Sequence, residues 1–197
     1  MRWPPTRQKA ERRSELIAAS AQNRAEFGRV LSGNLGSVLN REYQGQNCSI
    51  AGALELVGER WTLLIIRDAF LGLHRFEEFH ESLGISRNVL TDRLDKLVEE
   101  GIFKAIPYGP RRDRYDYQLT PKGLDLHVAL IGLRQWGDKY LCDKPPTLAR
   151  RKSDRKRLVA ALVPKGTITV PIDDTEFVAG PGRDQNAPTW RVLARRA

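Results

Sequence analysis

FEEFHESLGISRNVLTDRLDKLVEEG, residues 76–101, is the stretch on which the fold turns. Phe76, Phe79 and Leu83 recur at helical spacing. Gly84 closes that pattern, because glycine readily takes the left-handed conformation of a helix exit. Ile85 follows, then Ser86, a residue type favoured as an N-cap. From there Leu90, Leu94, Leu97 and Val98 line one face until Gly101 stops the run. The reading is helix, tight turn, helix.

Working outward, IFKAIPY (102–108) alternates Ile102, Lys104 and Ile106 against Phe103 and Ala105, and YDYQLT (115–120) is a second short strand. Between them GPRRDR (109–114) is a glycine-and-proline turn carrying three arginines, so the pair predicts a β-hairpin with a basic tip. Thr120-Pro121 then opens another helix, Thr as cap and Pro at the first position. On the N-terminal side, Ile50, Leu54 and Val57 fall on one helical face, and WTLLIIRDAF (61–70) is apolar enough for a buried helix.

The helix predicted over 121–141 has two apolar sides when plotted at 100° per residue. Leu124, Val128 and Ile131 lie on one; Leu126, Leu133 and Tyr140, with Ala129 and Trp136, lie on the other. One side is expected to meet the chain's own core and the other a second subunit.

Helix, turn, helix and an arginine-tipped hairpin are the elements, in order, of a winged helix-turn-helix. The expected fold class is therefore mainly α with a small β-hairpin wing. A DNA major groove, ~12 Å wide, admits one α-helix. That helix must present short polar and basic side chains at its N-terminal end, with apolar ones behind. Ser86, Arg87, Asn88, Thr91 and Lys96 are the outward-facing candidates, and Val89, Leu90, Leu94 and Leu97 face inward. Free N–H groups and the positive dipole end add an attraction for phosphate. Arg111, Arg112 and Arg114 on the wing are placed to reach the flanking backbone or minor groove. Asp92, on the same outer face, would repel phosphate, so it either reads a cytosine amino group or points away. Arg60 and Arg67 are expected to pair with nearby acids such as Glu59 and Asp68 rather than with DNA.

The segment 48–141 also resembles the HxlR-type transcriptional regulators, through GERWTLLIIRD (58–68), RFEEFHESLGISRNVLTDRLDKLVEEGI (75–102) and YQLTPKG (117–123). The resemblance implies a homodimeric winged-helix protein that binds a pseudo-palindromic operator in double-stranded DNA, most simply as a repressor. It further implies dimerisation through the first and last core helices. That agrees with the two-sided helix and nominates Ile50, Leu126, Leu133, Trp136 and Tyr140 as the interface. Several members of this family sense thiol stress through a cysteine near the N-terminal edge of the domain. Here Cys48 and Cys142 bracket the core, and reactive cysteines favour helix N-termini. A redox switch based on Cys48, with Cys142 of the other subunit within reach, is the matching expectation. Two inert thiols are the alternative.

Composition bounds the rest. The 197 residues suit one compact domain with appendages. No apolar run approaches the ~20 residues of a membrane helix, and the first residues lack the apolar stretch of a secretory signal. Two cysteines cannot build a disulfide framework, so the expected location is cytoplasmic, at the nucleoid. The net charge of +9 is unevenly spread: eight basic against four acidic residues in 1–47, 13 against 14 in 48–141, and 12 against six in 142–197. An affinity of the middle segment for nucleic acid must therefore come from local placement rather than bulk charge.

Three segments are expected: an N-terminal extension (1–47), partly helical over 7–31; the winged-helix domain (48–141); and a basic linker with a small extension (142–197). In the last, a hairpin is predicted around Lys165-Gly166, and the run 150–157 reads as a solvated basic linker. Met1 is the only methionine, and members of the family usually begin close to the position of Cys48. Initiation at Val38 would leave residues 1–37 untranslated; a native peptide spanning 24–41 would exclude that. Phosphate loops, HExxH, GxSxG and CxxC motifs are absent from the sequence. His74, His80 and His127 are scattered, so no catalytic activity, metal or cofactor is expected. The alternative to a DNA-binding regulator is a winged-helix module that binds proteins.

Overall fold

The computed structural model describes residues 48–109 and 114–196. The expected N-terminal helix, the Val38 start, Arg111 and Arg112 all lie outside the described residues. In chain order the elements are α1 (Ser49–Val57), α2 (Thr62–Phe70), α3 (Phe76–Leu83), α4 (Arg87–Glu99), β1 (Phe103–Pro107), β2 (Tyr115–Leu119), α5 (Pro121–Leu124), α6 (His127–Tyr140), β3 (Thr147–Arg151), a 3-10 turn (Ile172–Asp174), β4 (Thr175–Ala179) and α7 (Pro188–Ala194).

The core forms where α2, α3, α4 and the first hairpin converge. Ile65, Ile66, Phe79, Leu90 and Leu94 have no exposed surface, and Leu73, Leu97, Ile102 and Phe103 have almost none. Phe79, Phe103 and Tyr117 meet at centroid distances of 6.3–6.5 Å, tilted or edge-on. This cluster fixes the hairpin against the back of α3. β1 and β2 pair antiparallel, Phe103 opposite Leu119 and Pro107 opposite Tyr115. Arg75 bridges to Asp116, so the start of α3 joins the hairpin's edge.

The predicted helix over 121–141 is interrupted. α5 ends at Leu124, and α6 restarts at His127 with Leu126 as its N-cap. The interruption resets the rotational phase, which corrects the two sides expected from a continuous helix. Leu126 and Leu130 pack against the chain's own core with Ile131 buried behind them, whereas Val128 is 55% exposed. The outward face of α6 carries Val128, Leu133, Trp136 and Tyr140.

The C-terminal extension contains a two-stranded antiparallel sheet, but not where it was expected. Lys165-Gly166 does form a turn, closed by the Thr167 amide on the Pro164 carbonyl at 3.1 Å, yet its flanks do not pair. The strands are β3 and β4, with Ala149 opposite Phe177. Arg150 donates to Glu176 across this ladder at 2.7 Å, so part of the basic run is strand rather than linker. Phe177 in turn meets Phe70 of α2 at 5.3 Å.

α7 seats on α3. Val192 enters the core cluster, and Arg195 and Arg196 pair with Glu81 and Glu78. Beneath it the fully buried Asp68 carboxylate is held by Arg67 at 2.7 Å and accepts from the Ser82 hydroxyl at 2.6 Å. Ser82 Oγ lies 2.6 Å from Thr189 Oγ1 of α7. With the Ser82 proton directed at Asp68, Thr189 is the donor of that second bond.

Candidate nucleic-acid interface

The α3–α4 turn follows the sequence closely. Gly84 lies at φ 63° and ψ 22°, its amide donating to the His80 carbonyl at 3.0 Å. Ile85 is buried and pins the turn to the core. Ser86 then caps α4 in extended conformation, its hydroxyl accepting from the Val89 amide. Ser86, Arg87 and Asn88 are all exposed, and Leu90, Leu94 and Leu97 anchor the opposite face. Thr91 is half-buried at the edge of the exposed strip, and Asp92 is exposed on it.

Arg87 is engaged in the free protein. Its two terminal nitrogens donate to both Glu77 carboxylate oxygens at 2.7 Å each, and its guanidinium lies over the Phe76 ring. Hydrogen bonding from Arg87 holds the Glu77 carboxyl below the usual carboxylate range. The sequence reading did not single out Glu77; only the turn between α3 and α4 brings it to Arg87. Lys96, expected to face outward, does not: its ammonium donates to the Glu55 carbonyl of α1 at 2.8 Å, tying α4 to α1.

The wing stands beside the start of α3. Arg114 is exposed where β2 begins, its carbonyl accepting from the Tyr108 amide at 3.0 Å. Arg75 fills the space between wing and α3, stacked over Tyr108 at 4.9 Å and donating to Asp116 at 3.3 Å. Arg67 pairs with Asp68 as expected, while Arg60 stacks on Trp61 and Glu59 instead holds Arg93 of α4 at 2.8 Å.

Ile50 of α1 is 70% exposed, and Leu133, Trp136 and Tyr140 of α6 are each more than half exposed. Trp136 and Tyr140 pack against each other at 5.4 Å. Cys48 is the N-cap residue of α1, and Cys142 follows α6; both thiols are free and exposed.

A capped helix presented by a tight turn and flanked by a β-hairpin defines a winged helix-turn-helix protein. The HxlR-like helix-turn-helix family model matches residues 56–145. The chain belongs to the HxlR family. It is 50% identical over 105 residues to Rv3095, an uncharacterized HTH-type transcriptional regulator of Mycobacterium tuberculosis, over 53% of this chain and 65% of that one. The chain thus spans just under two thirds of that relative. It is also 34% identical to YvaP, an uncharacterized HTH-type transcriptional regulator of Bacillus subtilis, over 45% of this chain and 83% of that one. Among solved structures, the quinone-bound YodB of B. subtilis is 29% identical, covering 48% of this chain and 100% of that one, with a TM-score of 0.42.

Proposed function

We propose that the protein is a dimeric transcriptional regulator that inserts α4 into the DNA major groove and lays its wing along the flanking backbone. The observation that carries this reading is the first turn of α4: Ser86, Arg87 and Asn88 exposed together over a row of fully buried leucines. Helix N-termini offer unpaired N–H groups to phosphate, while Arg and Asn recognise base edges bidentately. Arg111, Arg112 and Arg114 supply the sequence-independent part. The exposed apolar side chains of Ile50 on α1 and of Leu133, Trp136 and Tyr140 on α6 support pairing of two copies through these helices. A two-fold dimer presents two α4 helices to half-sites separated by one or more helical turns. Occupying a promoter needs nothing beyond such a dimer, which supports repression as the outcome.

A gel shift against the DNA upstream of the protein's own gene tests this. A shifted band that survives moderate salt is expected. Failure to shift at that salt would favour a protein-binding module instead.

The signal belongs to the same proposal. Cys48 and Cys142 are exposed at the ends of the two helices assigned to the interface. Joining them across the dimer forms one S–S bond and passes two protons and two electrons to an oxidant such as diamide. Diamide should abolish operator binding by the wild type and spare Cys48→Ser; equal loss in both would end the idea. A small-molecule effector has room in a cleft of about 450 Å³ between β2 and β4, walled by Phe70, Tyr117 and Phe177.

A further inference from the structure

Residues 158–171, LVAALVPKGTITVP, form an arm that leaves the β3–β4 sheet and returns to it. Its ends are fastened: the Leu158 amide donates to the Ala149 carbonyl at 2.8 Å, and the Pro171 carbonyl accepts from the Asp174 amide at 3.1 Å. Between 161 and 170, the backbone bond among the described residues is the Thr167–Pro164 turn. Both limbs run on without pairing to each other. Their apolar side chains face solvent: Leu162 and Ile168 are essentially fully exposed, Val159 is 63% exposed and Val163 49%. Exposed aliphatic side chains gathered on one short segment point to an interaction site.

The arm is also aimed. Gln135 of α6 brackets Ala160 on both sides, its amide nitrogen donating to the Ala160 carbonyl at 3.1 Å and its oxygen accepting from the Ala160 amide. Gln135 is the neighbour of Trp136 on the helix whose outward face lacks cover. The arm is thus tied to α6, the helix that carries the exposed Leu133, Trp136 and Tyr140. Its chemistry argues against a nucleic-acid role, since Lys165 is the single charged residue of the 14 in a chain that is otherwise 29% charged. DNA-binding arms are basic.

We infer that this arm reaches across to a second copy of the chain, extending the α1–α6 pairing into a reciprocal clasp. In a two-fold assembly each arm meets the α6 helix to which its counterpart is tied, so one surface serves both copies. The unpaired limbs bring free N–H and C=O groups able to add to a strand of the other copy. The inference rests on the dimer proposed above but concerns residues beyond the 56–145 family match.

Sedimentation of the full chain as wild type, Leu162→Asp/Ile168→Asp and Gln135→Ala tests it, together with a photocrosslinker at position 162 in a mixture of light and isotope-labelled protein. Both substituted arm residues are exposed, so circular dichroism should be unchanged. The expected results are a dimer dissociation constant raised at least about tenfold in the double variant, a smaller rise in Gln135→Ala, and crosslinks joining light to labelled chains. A wild-type dimer whose double variant dissociates identically, with crosslinks confined to single chains, overturns the clasp and leaves the α1–α6 dimer standing. A wild-type monomer overturns both.

Discussion

In the proposed complex, Arg87 must leave one carboxylate before it meets DNA. Its pair with Glu77 is solvent-exposed, and exposed pairs contribute about 0.2–1 kcal/mol. The Glu77 pKa is lowered, so the pair is intact above the ordinary carboxylate range and is lost as pH falls through the lowered value. In that complex, Glu77 therefore competes with DNA for Arg87 at neutral pH. Glu77→Gln should tighten binding about two- to fivefold on every sequence, whereas Arg87→Ala should cost about 1–3 kcal/mol of discrimination at one base position. Titration of matched and base-substituted duplexes separates these effects.

Asp68 is the buried counterpart. Desolvation raises its pKa, opposed by Arg67 and by the Ser82 hydrogen bond. With a raised folded-state pKa, this group's penalty is absent below the ordinary range near pH 4, accumulates as pH rises above that range, and is complete once pH passes the raised value. Asp68→Asn should flatten that part of the stability–pH curve. Ser82→Ala leaves a buried carboxylate oxygen and Thr189 without their shared partner, and should cost about 1–3 kcal/mol in urea unfolding.

Among the elements, the α3–α4 turn depends on one backbone conformation. At φ 63° Gly84 has open space around the position of a Cβ, so strain from Gly84→Ala is conformational, about 1–2 kcal/mol, and should appear as a lower melting temperature. This turn was legible in the sequence because every signal for it is local: the spacing of Phe76, Phe79 and Leu83, the glycine, the serine cap, then the leucine repeat. The hairpin was legible for the same reason. The α5–α6 break was not, since no proline or cap marks Asp125-Leu126 within an apolar run, and the error carried Leu126 and Val128 to the wrong sides. β3 was hidden by its own arginines: Arg150 looks like linker until Glu176, 26 residues away, lies across from it. Lys96 shows the same limit at the site, because the Glu55 carbonyl that holds it belongs to another helix.

At the scale of the molecule, the proposed regulator divides recognition and general attraction between its neutral middle segment and its basic flanks. Removing wing charges by Arg111→Ala, Arg112→Ala or Arg114→Ala should weaken binding on all sequences, each reducing the salt slope by about one where the guanidinium meets a phosphate. In the proposed dimer, pairing of copies sets the footprint. Leu133→Asp/Trp136→Asp should give a folded monomer by sedimentation and a single weakly protected half-site, because the second α4 no longer arrives with the first.

Footprinting of genomic fragments retained by the wild-type protein, repeated with Arg87→Ala and Asn88→Ala, tests the central claim most directly. We expect two protected half-sites related by a dyad, centred about 10 base pairs or a multiple apart, with protection at specific bases lost in each variant. Retention of no fragment at moderate salt, or a footprint that neither substitution alters, would contradict the assignment of α4 as the element that reads DNA.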